Sequence, residues 1–191
     1  MKIDGHGQSE PINEFSYKRI RKCFRRSDHQ LIFDLAYYTG ERWGAILKLQ
    51  VCDIYRDVAR RQLHECVTYR AATRKDGETR QVPIHPQLRL HLKTYEPPIV
   101  GYLFPSPEIP TQALGFRAAD RALRRALERA GLDKSGYSTH STRRGFITQL
   151  HDKGLSVKVI QSLTGHKSLA VLSRYIEVSE QQRQSAIALL S

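Results

Sequence analysis

Residues 140–175, HSTRRGFITQLHDKGLSVKVIQSLTGHKSLAVLSRY, hold groups that phosphoryl chemistry uses: cations, imidazoles and one phenol. His140 and Arg143 are three apart, so a helix places them on one face. His166 follows Gly165, and Tyr175 comes nine residues later. A phenol has a pKa of about 10 and needs a base or a strongly positive surrounding to attack at neutral pH. Attack on a DNA phosphodiester forms a phosphotyrosine and frees a sugar hydroxyl. The bond energy stays in the protein–DNA link, so rejoining needs no metal and no ATP. Two arginines can clamp the nonbridging oxygens with fork-shaped hydrogen bonds, and an imidazole N–H adds a third donor. The leaving oxygen needs a proton, which a lysine on a hairpin tip can supply. Outside the segment, Arg42 and Lys75 complete such a set. Each has a plainer alternative, an ordinary surface arginine and a solvated turn lysine. HxxR and TGxR are weak patterns singly; the ordered set is specific.

The elements that must position these groups are legible in the pattern. Residues 1 to about 16 are polar and contain Gly and Pro, which predicts a loose arm. Lys18, Arg19, Arg21, Lys22, Arg25 and Arg26 form a basic patch, a solvated helix face or a DNA contact. Ser27 with Gln30 reads as a capping box opening a helix through LIFDLAYY, stopped by Gly40. A second helix carries Arg42 near its start. Residues 61–84 read as a hairpin with Asp76-Gly77 as a two-residue turn and Lys75 just before it. Pro86 starts a short helix to about residue 95, and five prolines make 96–110 an extended loop. A long helix is expected from Thr111 to Ala130, closed by Gly131. Phe116, Ala119, Leu123, Ala126, Leu127 and Ala130 form its apolar side, and its arginines lie on other faces. Helices at about 140–152, 156–164 and 168–175 follow, with Ser156 as a cap. Ala186, Ile187, Leu189 and Leu190 make an apolar patch that packs in cis or docks on a neighbouring protomer.

In 191 residues, 31 Lys and Arg oppose 19 Asp and Glu, a net charge of +12. The leading inference is a polyanionic partner, nucleic acid before membrane. No apolar run approaches the ~20 residues of a membrane span, and the N-terminus has no signal-peptide core. Cys23, Cys52 and Cys66 do not suggest a disulfide framework and fit a reducing cytoplasm. His64 and Cys66 lack metal-site spacing, so neither a metal nor another cofactor is expected.

The chain resembles the tyrosine recombinases, or phage integrases, over about residues 20–180. YYTGERWGAILKLQVCDI resembles the first box, with Arg42; TRKDGETRQVPI the hairpin, with Lys75; HSTRRGF the HxxR box, with His140 and Arg143; and LTGHKSLAVLSRY the last, with His166 and Tyr175. Two positions depart from the family pattern: Ala45, where an acidic residue is frequent, and Arg144, where histidine is frequent. The resemblance implies a mainly α fold with a small antiparallel β-sheet (α+β). It implies a site-specific recombinase cleaving through a 3′-phosphotyrosine with a 5′-hydroxyl leaving, for integration, excision or inversion. Arg42 and Arg143 then bind the phosphate, and Lys75 is the general acid. His140 assists proton transfer at the nucleophile Tyr175, and His166 donates to the phosphate. The implied partner is double-stranded DNA, held by a homotetramer that is a monomer off DNA, with room for accessory DNA-binding proteins. The implied setting is the cytoplasm, at the nucleoid. The organisation expected is an N-terminal arm (1–19), a catalytic domain (20–180) and a tail (181–191), without the family's N-terminal core-binding domain. Two alternatives are a type IB-like topoisomerase and a non-catalytic DNA-binding module, with helices 156–164 and 168–175 acting as a helix-turn-helix.

Overall fold

The computed structural model describes residues 9–74 and 77–173, together with Gln184, Ile187 and Ala188 of the tail. Its helices are α1 (Glu14–Arg21), α2 (Ser27–Thr39), α3 (Trp43–Ile46), α4 (Pro86–Thr94), α5 (Phe116–Arg129), α6 (Ser141–Asp152), α7 (Val157–Thr164) and α8 (Leu169–Ser173). Between α3 and α4 lie two antiparallel pairs, β1 (Tyr55–Asp57) with β2 (Gln62–Leu63), and β3 (Cys66–Tyr69) with β4 (Arg80–Pro83). The expected mainly helical α+β class is what the chain adopts.

The organising element is α2. LIFDLAYY is apolar nearly all round, and such a helix is stable only when covered on most sides. Leu31 through Tyr37 are all buried, and α1, α3, α4, α5 and α6 pack around them. The one acid in that run, Asp34, is fully buried. It accepts two hydrogen bonds from Arg21 at 2.8 and 2.9 Å and one from the Tyr17 hydroxyl at 2.7 Å. Gly40, at φ +61, ends α2 in the left-handed cap that the sequence predicts. A separate apolar cluster of Ile147, Ile160 and Leu172 joins α6, α7 and α8.

Several expectations change. From Ser9 onward the N-terminal residues are packed, not a loose arm. Ile12 is fully buried, and its backbone N–H donates to the Ser141 carbonyl at 3.1 Å. That close passage is possible because α6 carries Gly145 where a Cβ would strike the Ile12 carbonyl. Ser27 is not a cap: Arg26 holds that position without a side-chain bond, and the Gln30 amide donates instead to the Arg21 and Phe24 carbonyls. The long helix starts at Phe116, not Thr111, because Ala113 pairs with Pro105 and Leu114 N–H bonds the Phe104 carbonyl. Ser156 does cap α7, accepting from Val159 N.

The hairpin departs most. Residues 62–63 pair with β1, not with the return strand. The β3–β4 ladder stops at Tyr69–Arg80, and a 3-10 turn at Ala71–Thr73 follows, so residues 70–79 join the paired strands. Polar bonds close the far end: Ala71 N–H to Thr79 Oγ1 at 3.1 Å, Arg74 Nη1 to the Glu78 carbonyl at 2.8 Å, and Gly77 N–H to the Arg74 carbonyl at 3.3 Å. Lys75 and Asp76 lie outside the described residues.

Candidate active site

Arg42, His140 and Arg143, far apart in sequence, line one cleft of about 470 Å³. Arg42 is delivered by the turn that ends α2, where it precedes α3 as an exposed N-cap residue. His140 holds the same position on α6, exposed, with helical backbone angles, so the predicted shared face with Arg143 is realised. Trp43 Nε1 donates to Thr142 Oγ1 at 3.4 Å and ties the two helix starts together. Phe116, half exposed at the start of α5, is part of the opposite wall.

Arg143 is buried, with its side chain 5% exposed. Its guanidinium lies between the C-terminal ends of two helices, where unsatisfied carbonyls attract a cation. Nη1 donates to the Gly40 carbonyl and Nη2 to the Thr164 carbonyl, both at 2.8 Å. These bonds fix the plane of the fork before any ligand arrives.

His166 is buried directly behind it, with Arg143 Nη2 3.2 Å from Nε2. Burial pushes the imidazole down to about 4, helped by the positive charges of Arg143, Arg42 and Arg80. The hydrogen-bond network assigns the tautomer. Thr164 Oγ1 donates to the Ile160 carbonyl at 2.7 Å, so it accepts from His166 Nδ1–H at 2.7 Å. Nε2 then carries the lone pair, and it can donate to a ligand only after gaining a proton.

The sequence reading missed the acid at the centre of this group. Glu41 is 1% exposed. Its Oε1 accepts the Arg42 backbone N–H at 2.7 Å and lies 3.8 Å from Arg143 Nη1. Its Oε2 bonds Arg80 Nη2 and lies 3.4 Å from Arg74 Nε. A signal was present. Arg80 shares the inward side of β4 with Val82, and an arginine on a core-facing register demands a buried acid. Lys75 and Tyr175, the expected general acid and nucleophile, lie outside the described residues. So does most of the apolar tail, of which Ile187 is exposed. No group of metal-ligating side chains occurs among the described residues, and none of their helices is long and apolar enough to cross a membrane.

A second, basic groove of about 990 Å³ runs along α5. Arg117, Arg121, Arg125 and Arg129 recur every four residues on one helix face, and Arg25 and Arg26 face them across it. The phage integrase family model matches residues 10–182, nearly the whole chain. The chain belongs to the phage integrase family.

Among curated relatives, this phage integrase family member is similar to the tyrosine recombinase XerD of Caulobacter vibrioides, 30% identical over 78% of the chain and 48% of the relative. It also resembles the integrase of Escherichia phage P2, 26% identical over 85% of the chain and 41% of the relative. The chain spans about half the length of the curated relatives it matches. The fold is that of the tyrosine recombinase catalytic domain. A crystal structure of XerA recombinase superposes with a TM-score of 0.72 at 20% identity, covering 96% of this chain and 66% of that one. XerH site-specific recombinase bound to its difH substrate gives 0.72 at 18% identity, covering 99% and 56%.

Proposed function

We propose that this chain is the catalytic domain of a site-specific DNA recombinase working through a 3′-phosphotyrosyl intermediate. The observation that carries this is the gathering of Arg42, His140 and Arg143 in one cleft with His166 behind Arg143. In the proposed step the Tyr175 oxygen bonds to phosphorus while the P–O5′ bond breaks. His140 assists removal of the phenol proton, and Lys75 gives a proton to the departing 5′-oxygen. Arg42 and Arg143 take the charge on the nonbridging oxygens, and His166 adds a donor once protonated. Reversal of these transfers rejoins the strand. The substrate is double-stranded DNA, gathered by a homotetramer in the cytoplasm. The basic groove along α5 is a second surface on which the duplex backbone rests.

The test uses a pool of nicked duplexes of randomised sequence, in which a short fragment diffuses away after cleavage and traps the intermediate. The trapped DNA should carry protein on a 3′-phosphate and leave a free 5′-hydroxyl. Protein on a 5′-phosphate, or cleavage without attachment, contradicts the proposal. On circular substrates bearing the selected sequence, rearranged products identify a recombinase. Relaxation alone identifies a topoisomerase.

A further inference from the structure

Glu41 takes no part in the steps above, yet its carboxylate meets several groups around the site. Its carboxylate accepts the backbone N–H of Arg42, the phosphate-clamp residue, at 2.7 Å. Its other oxygen meets Arg74 at 3.4 Å and bonds Arg80. Those arginines flank the hairpin end: Arg74 directly precedes Lys75, and Arg80 begins β4. Past the Tyr69–Arg80 pair no strand ladder holds this end. What holds it is polar: Arg74 Nη1 on the Glu78 carbonyl at 2.8 Å, Ala71 N–H on Thr79, and the Glu41 carboxylate behind both arginines. From the other side Gly165, in left-handed backbone at φ +66, lies where a Cβ would collide with both guanidinium groups. Those side chains are therefore confined between Glu41 and the end of α7.

We propose that Glu41 is a positioning residue whose buried carboxylate ties the Arg42 turn to Arg74 and Arg80, the arginines on either side of Lys75 in the sequence, and that the general-acid step depends on this tie. The charge-assisted bond from Arg80 to the carboxylate is directional and fixes that side chain, and the same buried charge attracts Arg74 at 3.4 Å. A Gln of the same shape keeps the volume and removes the charge that draws them together. The inference rests on Lys75 as the general acid.

The test compares single-turnover cleavage of two nicked duplexes, one with the ordinary 5′-bridging oxygen and one with sulfur there. With oxygen, the P–O5′ bond breaks and a Lys75 proton passes to the oxygen. With sulfur, the P–S bond breaks and the thiolate leaves without a proton. Glu41→Gln should slow cleavage of the oxygen substrate by roughly tenfold or more, a share of the 10²–10⁴ that general acid catalysis supplies. On the sulfur substrate it should stay within about threefold of wild type, with DNA affinity unchanged. Equal slowing on both substrates, or no slowing on oxygen, overturns the proposal. If Glu41→Gln melts below the assay temperature, Glu41→Gln with Arg80→Gln replaces it. That pair removes acid and nearest base together, leaves net charge unchanged, and should give the same contrast. A wild-type chain that attaches to neither substrate overturns the functional proposal itself, and this one with it.

Discussion

His166 is where a single proton decides what a residue can do. Neutral, it gives Nδ1–H to Thr164 and offers only a lone pair at Nε2, beside Arg143. Burial keeps the ring neutral, helped by the charges of Arg143, Arg42 and Arg80; an oxyanion held by Arg42 and Arg143 would offset that positive charge and favour the doubly protonated ring. We expect the free protein's His166 to titrate near 4 by side-chain NMR, and to rise above 6 when a phosphate mimic such as vanadate fills the site. Titration near 6.5 in the free protein would refute the burial account. The sign for stability follows. The folded imidazole has the lower pKa, so the unfolded chain protonates first as pH falls, and stability is lost from about pH 6.5 down to about 4. His166→Gln should flatten that part of a stability-against-pH curve. Gly165→Ala meets two penalties, left-handed backbone and collision with Arg74 and Arg80. A loss of about 1–3 kcal/mol is expected in denaturant melts, with slower DNA cleavage.

The elements divide unequally between two cores. The large one around α2 includes Trp43 and Ile46 of α3, the helix that Arg42 opens. The small one, Ile147, Ile160 and Leu172, holds α7 and α8, the segment that leads into Tyr175. Leu172→Ala removes one of three fully buried side chains there, a change that costs about 2–5 kcal/mol in a core. Because α7 and α8 are not among the helices that pack around α2, the loss should be local. Amides of α7 should exchange hydrogen faster while those of α2 keep their protection, and covalent attachment to DNA should fall. Faster exchange throughout would mean that the two cores unfold as one.

At the scale of the whole molecule, the chain carries a net charge of +12, and Arg25, Arg26, Arg117, Arg121, Arg125 and Arg129 line the groove along α5. Arg121→Gln with Arg125→Gln should weaken binding on every DNA sequence alike and reduce the slope of log affinity against log salt by about two. An unchanged slope would remove the α5 groove from the DNA path. How much of this was legible depended on whether a signal was local. The Gly40 and Gly165 caps, the Pro86 helix start and the α5 apolar stripe are set by neighbouring residues, and the sequence reading found them. Distant partners were harder to find. Thr111 looked able to start a helix until Ala113 paired with Pro105, and residues 61–84 looked like one hairpin until Gln62 and Leu63 paired with β1. Glu41 was overlooked beside Arg42, because only the fold brings Arg74, Arg80 and Arg143 around it. Ala45, the position three after Arg42, is buried and lines the cleft, and the acid that meets the arginines stands one residue before Arg42 instead.

The most direct measurement is covalent capture of a nicked duplex by Tyr175→Phe beside the wild type, at matched DNA occupancy. Loss of the phenol oxygen should leave binding within about twofold, since the proposed phosphate contacts are those of Arg42 and Arg143, and should abolish the denaturant-resistant protein–DNA product. A Phe variant that still forms that product would contradict the assignment of Tyr175 as nucleophile, and with it the chemistry proposed for this site.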